Sequence, residues 1–349
     1  MELHPSGDAR GRTRNRLYGR GRYQHVYAAL DLGTNNCRLL VVRPAGQGFR
    51  VIDAFSRIIR LGEGLAATGR LSTAAMDRAI EALKVCAAKM RRRNVTRARC
   101  VATEACRKAS NCAEFLDRVR DETGIELDII TSAEEARMAV SGCAPLLDYG
   151  HSHAVVFDIG GGSTELMWLK LQPRRDPELL GWISIPCGVV TMSERWARET
   201  DAETAWRGMV AEVAAYIAPF EQTWRIGEQV ARGGVQMLGT SGTVTTVAGV
   251  LLDLDRYDRE QVDGRWLDFE DIAYVSHELM LAPLADRAGH PCIGANRADL
   301  VVPGCAILEA IRDTWPVGRL RVADRGVREG LLLGLMQAAD REGVAGAGG

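Results

Sequence analysis

Two hydrophobic rhythms divide the chain. Apolar runs of strand length occupy residues 26–30 and 37–42, separated by a turn rich in Gly and Asn, and a third run follows through 51–59. Short runs bounded by turn residues predict a three-stranded meander. From Ser72 the period lengthens: Met76, Ala79, Ile80, Leu83 and Ala87 recur at helical spacing, and Arg91, Arg92 and Arg93 fall where a helix C-terminus carries negative partial charge. Beyond this helix the pattern alternates, with a strand at 100–102, a helix over 114–122 stopped by Gly124, and a strand at 127–130. Alternation of this kind implies crossover connections and predicts parallel strands in α/β layers.

The pattern then begins again. A strand at 155–157 runs straight into Asp158, and aligning Asp31 with Asp158 pairs Leu32 with Ile159, Gly33 with Gly160, Thr34 with Gly161 and Arg38 with Glu165, apolar run against apolar run. Each copy reads strand, Asp-apolar-Gly turn, strand, an internal echo that predicts two related lobes facing each other. A length of 349 residues agrees, since a chain of that size exceeds one ordinary compact core. The expected division is an Arg-rich disordered arm at 1–25, lobes at 26–131 and 132–338, and a flexible tail at 339–349.

Composition changes this picture little. Lys plus Arg number 44 against 45 for Asp plus Glu, so no strong overall field draws the chain to nucleic acid or to a membrane surface. The local excess of Arg10, Arg12, Arg14, Arg16, Arg20 and Arg22 reads as a solvated tail in preference to a polyanion tether. With no signal-peptide stretch and no apolar run of about eighteen residues, a cytoplasmic protein is expected. Nine cysteines without a Cys-x-x-Cys pair read as reduced core residues.

The candidate chemistry clusters at the turns. In the run DIGGGSTE, Gly160, Gly161 and Gly162 allow backbone conformations barred to other residues and bring N–H groups to a phosphate, with Ser163 and Thr164 adding hydroxyls. Asp158 and Glu165 would repel a polyphosphate unless a hard cation such as Mg²⁺, or Mn²⁺ in its place, stood between, and Asp31 is the matching second metal-facing acid. GTSGT offers Ser241, Gly242 and Thr243 at a helix start as a third phosphate contact, or as an ordinary cap. Arg107 and Asn111 lie in a loop opening at the same sheet edge, and Arg107, Arg38 and Arg60 read equally as phosphate ligands or surface cations. Glu134 and Glu135 open a helix near the hinge, where Ser132 to Glu135 has the spacing of a capping box that would occupy Glu135.

Taken in order, DLGTNN, LGEGL after Arg60, ATEACRKASN, EEAR at Glu134, DIGGGSTE, GTSGT, RADLVVPGCAIL from Arg297 and VREGLL from Val327 resemble the exopolyphosphatase and guanosine pentaphosphate phosphohydrolase (Ppx/GppA) family. The likeness runs from about Tyr27 to Met336 and implies two actin-like, ribonuclease H-like lobes around a cleft, in a short form without the helical C-terminal region of longer members. It further implies Glu135 as the base activating water, Glu165 assisting, Asp158 near the metal, and inorganic polyphosphate or pppGpp as substrate. Of these, hydrolysis of the terminal phosphoanhydride of polyphosphate is the first expectation. Hydrolysis of pppGpp stands second, a non-catalytic (p)ppGpp sensor or an actin-like kinase or chaperone is the rival class, and a homodimer is compatible with the resemblance.

Overall fold

The computed structural model describes residues 21–46 and 48–345. The predicted meander forms as β1 (Tyr27–Leu32), β2 (Asn36–Ala45) and β3 (Gly48–Ile58). Helix α1 (Thr73–Arg92) returns the chain to β4 (Arg97–Ala102), and α2 (Glu104–Lys108) and α3 (Cys112–Thr123) lead to the short β5 (Asp128–Ile129). The Ser72 hydroxyl caps α1 by accepting from the Ala75 amide, as its position before an apolar helical stripe predicts. At the other end Lys89, Arg92 and Arg93 converge on the Asp53 carboxylate of β3.

The second half repeats the plan. Helix α4 (Ser132–Cys143) connects to β6 (His153–Ile159), β7 (Thr164–Lys170) and β8 (Glu178–Ile185). After α5 (Ala202–Trp224) come β9 (Val235–Thr240), α6 (Gly242–Leu251), β10 (Trp266–Asp268), α7 (Val301–Thr314), β11 (Arg319–Ala323) and α8 (Val327–Ala345). The first sheet has the order β3-β2-β1-β4-β5, and the second β8-β7-β6-β9-β11 with β10 added at its edge. In both, the first three strands are antiparallel and the next two run parallel to the central one. Two copies of this strand order make the chain α/β with two ribonuclease H-like lobes of actin-like type.

The echo read from sequence is a true structural register. Asp31 lies opposite Arg38 and Asp158 opposite Glu165, and each turn closes alike, the Gly33 amide donating to the Asn36 carbonyl at 2.9 Å and the Gly160 amide to the Ser163 carbonyl at 2.9 Å. The outer faces of the sheets bury separate cores, whereas a third core lies between them. There Tyr27, Ala29 and Val101 of the first sheet and Val156, Met167 and Leu238 of the second enclose α4 and α8. The lobe boundary we propose at 131/132 coincides with the N-cap of α4, and α8 returns from the second lobe to lie against β1 and β4 of the first.

Helices α4 and α8 cross backbone to backbone. A Cβ on Gly330 would stand 2.1 Å from the Met138 carbonyl oxygen, and one on Gly142 2.0 Å from that of Gly326. Both helices begin at the cleft, so this crossing fixes how far apart their first turns stand. Toward the cleft mouth the lobes also meet directly: Arg60 Nη2 reaches Asp299 Oδ1 at 2.8 Å, and the Gly64 amide donates to Glu194 Oε1 at 2.8 Å. Arg60 is thus an interlobe tie and not a phosphate ligand.

Both chain ends differ from expectation. The tail predicted at 339–349 is helical through Ala345, because Leu332, Met336 and Ala339 continue one buried stripe and Asp340 accepts from Arg22 Nε at 2.6 Å. Arg22–Gln24 forms a 3₁₀ turn docked on that helix, so the arm ends before Arg22, while its residues 1–20 lie outside the described residues. All nine cysteines are buried and free, as small core residues should be. No helix among the described residues is long and apolar enough to cross a membrane.

The crossing supports a contrast between two glycines of α8. Gly330→Ala, meeting rigid backbone, should lower stability by about 1–3 kcal/mol. Gly334→Ala, with open space at its Cβ, should raise it by up to about 1 kcal/mol through helix propensity. Denaturant titration of the two variants checks this, and equal effects of either sign would refute the close crossing.

Candidate active site

The two Asp-Gly turns face each other at the C-terminal ends of β1 and β6, where they line one recess. None of Gly160, Gly161 and Gly162 adopts a positive φ, which corrects the expectation that the triple glycine serves unusual backbone conformations. Glycine is needed there for proximity. A Cβ on Gly161 would lie 3.0 Å from the Asn35 amide nitrogen, and one on Gly162 would lie 2.7 Å from Thr34 Oγ1. Behind the loop, the amides of Val189 and Val190 donate to the carbonyls of Gly160 and Gly161, at 3.0 and 2.8 Å. With the carbonyls tied back, no acceptor among the described residues takes the amides of Gly161, Gly162 and Ser163. Unpaired amides in succession form an anion-binding concavity.

Carboxylates surround this cradle. Asp31, Asp158 and Glu135 line the recess. Glu165 is 2 % exposed and stands behind Ser163, with Oε1 accepting from Ser163 Oγ at 2.7 Å and from Ser184 Oγ at 2.8 Å. Burial and the neighbouring Asp158 push the Glu165 carboxyl up to about 7, against the opposing pull of the two serine hydroxyls. Burial likewise raises Asp158 to about 6, partly offset by Arg38. Asp31 is raised by burial and held down by Arg38 and Arg328. Glu135 is raised well above the ordinary carboxylate range, first by burial and then by Glu165, with Arg107 opposing. A carboxyl lifted toward neutrality is suited to proton transfer at physiological pH.

The capping box is real but displaced by one residue. Thr131 is the N-cap of α4, its hydroxyl accepting from the Glu134 amide at 3.2 Å while Glu134 Oε2 accepts from the Thr131 amide at 3.0 Å. Glu134 is therefore spent on the cap and Glu135, one step round the helix, points to the cleft. Arg107 meets it there: Nη1 donates to Glu135 Oε2 at 2.8 Å and to the Ile130 carbonyl at 2.8 Å, while Nε and Nη2 go to Glu104. Occupied in this way, Arg107 does not line the recess, contrary to the expected phosphate contact.

Two further expectations are corrected. Asn111 is buried away from the cleft, where Oδ1 accepts from the Leu71 amide at 2.8 Å and Nδ2 donates to the Leu71 carbonyl at 3.0 Å, pinning a loop. Thr164 is fully buried, and its hydroxyl donates to the Cys187 carbonyl at 2.6 Å instead of facing a phosphate. Ser241 does line the recess, held at φ 82°, a strained value for a residue with a side chain. Gly242 and Thr243 border an adjoining recess shared with Gly160, Gly161 and Ser241.

Arg38, one of the expected phosphate contacts, does line the recess from β2, and Arg328, which the sequence did not single out, opens α8 beside it; no carboxylate of the described residues lies within 4.0 Å of either guanidinium. Arg297 borders the adjoining recess, and Glu104 lines the main one. Asn35 and Asn36 line it too, each with a buried Oδ1 lacking a hydrogen-bond partner. Arg328 and Arg297 do fall inside VREGLL and RADL, so the motif signal was present although their direction was not.

Two facing lobes of this topology, with acids and unpaired amides at their turns, define a two-lobed α/β protein with an anion-binding, carboxylate-lined cleft. A family model described as the Ppx/GppA phosphatase family matches residues 40–339, and the chain belongs to that family. Relatives from Aeromonas hydrophila and Aeromonas salmonicida, both named guanosine-5'-triphosphate,3'-diphosphate pyrophosphatase, are 27 and 28% identical over 311 residues. The alignment covers 89% of this chain but only 59% of theirs. Among solved structures, an exopolyphosphatase-like protein matches at TM-score 0.78 and 28% identity, covering 89% of this chain and 97% of its own. The Aquifex aeolicus PPX-GPPA enzyme matches at 0.73 and 27%, covering 89 and 99%. A Cytophaga hutchinsonii exopolyphosphatase, at 23% identity and TM-score 0.79 over 90 and 98%, shares the fold.

The raised carboxyls make stability depend on pH in a definite direction. Since Glu165 moves from 4.5 to about 7 on folding, the folded state favours its protonated form. Its contribution is complete below the unfolded value and is lost as pH rises through about 7. Without divalent cations the melting temperature should therefore fall between pH 5 and pH 8. Glu165→Gln should flatten that fall without abolishing it, because Glu135 and Asp158 are raised as well. Parallel melting curves at both pH values, identical for the variant and the parent, would contradict this.

Proposed function

We propose that the chain is an exopolyphosphatase, hydrolysing the terminal phosphoanhydride of inorganic polyphosphate and releasing orthophosphate. The observation that supports this most directly is the convergence of one raised carboxyl, Glu135, with the unpaired amides of Gly161, Gly162 and Ser163 and with Arg38 and Arg328 in one recess. Phosphoryl transfer to water asks for positioning, charge neutralisation and an oriented nucleophile more than for covalent chemistry. The loop amides hold the terminal phosphoryl group, assisted by Ser163 and, from the neighbouring strand end of the same lobe, by Ser241. Arg38 and Arg328 balance its charge. Glu135 accepts the proton of the attacking water, and Glu165, through Ser163, supports the loop and the charge state of Glu135.

A hard divalent cation fits the remaining groups. Asp31 and Asp158 are oxygen donors on opposite walls, and the buried, unpartnered Oδ1 atoms of Asn35 and Asn36 are further oxygen donors in the same recess. Two carboxylates completed by neutral and phosphate oxygens match the habit of Mg²⁺, with Mn²⁺ able to replace it. Bound there, the cation would neutralise phosphate charge. The rows of His, Cys, Asp and Glu needed for an all-protein metal cage are absent among the described residues.

The second substrate is pppGpp, converted to ppGpp by the same attack, a reading supported by the names of the Aeromonas relatives. Both substrates are cytosolic polyanions, so we propose a cytoplasmic site of action. A purely sensing role is disfavoured because Glu135 faces the recess while Glu134 takes the capping duty.

Phosphate release from polyphosphate of several lengths, pppGpp and ATP, with Mg²⁺ or Mn²⁺ and with chelator, tests the proposal. Polyphosphate should be the best substrate, and chelation should abolish release. Glu135→Gln should lose roughly 10²- to 10⁴-fold in kcat, the usual worth of a general base, while Glu134→Gln should keep its activity within about 3-fold, since a Gln amide oxygen can still accept from the Thr131 amide and preserve the cap. Absence of release from any substrate would remove the hydrolase reading, and equal activity of the two variants would remove Glu135 as the base.

A further inference from the structure

Arg107 and Glu104 lie three residues apart on the one-turn helix α2, and such pairs on exposed helices are worth only a few tenths of a kcal/mol. This pair is different in placement. Both side chains are 16 % exposed, Glu104 lines the catalytic recess, and its Cγ would be 3.1 Å from a Cβ on Gly162 of the phosphate loop. One oxygen, Oε2, takes Arg107 Nε at 3.1 Å and Nη2 at 2.9 Å. On the opposite edge of the guanidinium, Nη1 is shared between Glu135 Oε2 and the Ile130 carbonyl at the end of β5. The planar fork is thus gripped on both sides, and its rotation about the Cδ–Nε bond is blocked.

Resting on the hydrolase reading above, we propose that Glu104 is a positioning residue. By holding Nε and Nη2 on one oxygen it fixes the plane of Arg107, so that Nη1 aims the Glu135 carboxylate at the water it activates. Glu104 also keeps Arg107 from swinging toward bound phosphate, leaving charge neutralisation to Arg38 and Arg328. Without Glu104 the guanidinium keeps only its Nη1 contacts, turns about them, and lets the Glu135 carboxylate wander. Lys108, the other cation beside Glu104, cannot take over the grip, since an ammonium offers no acceptor to a guanidinium. Misplacement of a catalytic group by about 1 Å can cost on the order of 100-fold in rate.

The test is a double-mutant cycle on the full chain, with kcat and KM measured for Glu104→Ala, Arg107→Ala and the double variant, on whichever of polyphosphate, pppGpp and ATP the parent hydrolyses fastest. Glu104→Ala should lower kcat by roughly 10- to 100-fold with KM held within about 3-fold. The double variant should be no slower than Arg107→Ala alone, because Glu104 acts through Arg107. Glu104→Gln, which retains an oxygen acceptor, should recover part of the loss. If the alanine variant does not fold, the same cycle run with Glu104→Gln carries the comparison. Multiplying losses, a raised KM at unchanged kcat, or no loss at all in an active parent would each overturn the proposal while leaving the hydrolase reading intact. An inactive parent would overturn both.

Discussion

The closeness of the two hairpin turns is the constraint on which the rest of the molecule depends. Gly161 lies against the backbone of Asn35 and Gly162 against the Thr34 side chain, so a Cβ at either position would press on the facing turn. That contact is possible because the inner core behind it is equally tight, with α4 and α8 crossing at Gly142 and Gly330. Tight packing transmits small shifts instead of absorbing them. The separation of Glu135 at the start of α4 from Arg328 at the start of α8 is therefore set by the backbone contacts of Gly330 with Met138 and of Gly142 with Gly326, which involve neither side chain.

Closeness also explains the electrostatics. Four carboxyls, Asp31, Glu135, Asp158 and Glu165, stand in and behind one narrow recess, and each is raised chiefly by burial. Such an assembly is tolerable because hydroxyls, guanidinium groups and partial protonation compensate it. Surface networks such as Asp53 with Lys89, Arg92 and Arg93 do the opposite, holding a carboxylate below its usual range. One chain thus keeps some acids firmly ionised for structure and others close to neutrality around a cleft.

Much of this was legible in the residues. The paired turns could be read because strand pairing has a strict two-residue period, so a fixed loop length carries Asp31 to Arg38 and Asp158 to Glu165 in the same register. Side-chain direction was not legible. Arg107, Asn111 and Thr164 all have the hydrogen-bonding capacity of phosphate ligands, and only the fold reveals that Glu135, Leu71 and Cys187 already occupy them. The capping box was displaced because Thr131 and Ser132 are both good caps and adjacent. The end of α8 escaped notice because a Gly- and Ala-rich stretch weakens the apolar rhythm just where Asp340 and Ala339 dock.

The equivalence of Arg38 and Glu165 has an evolutionary reading. If both lobes descend from one duplicated unit, their ancestor presented the same residue at this rung on both walls, and a symmetric pair could not have told one side of the cleft from the other. In this chain the rung carries unlike groups on the two strands, a guanidinium on β2 and a buried carboxyl on β7, so the crevice has walls of different character.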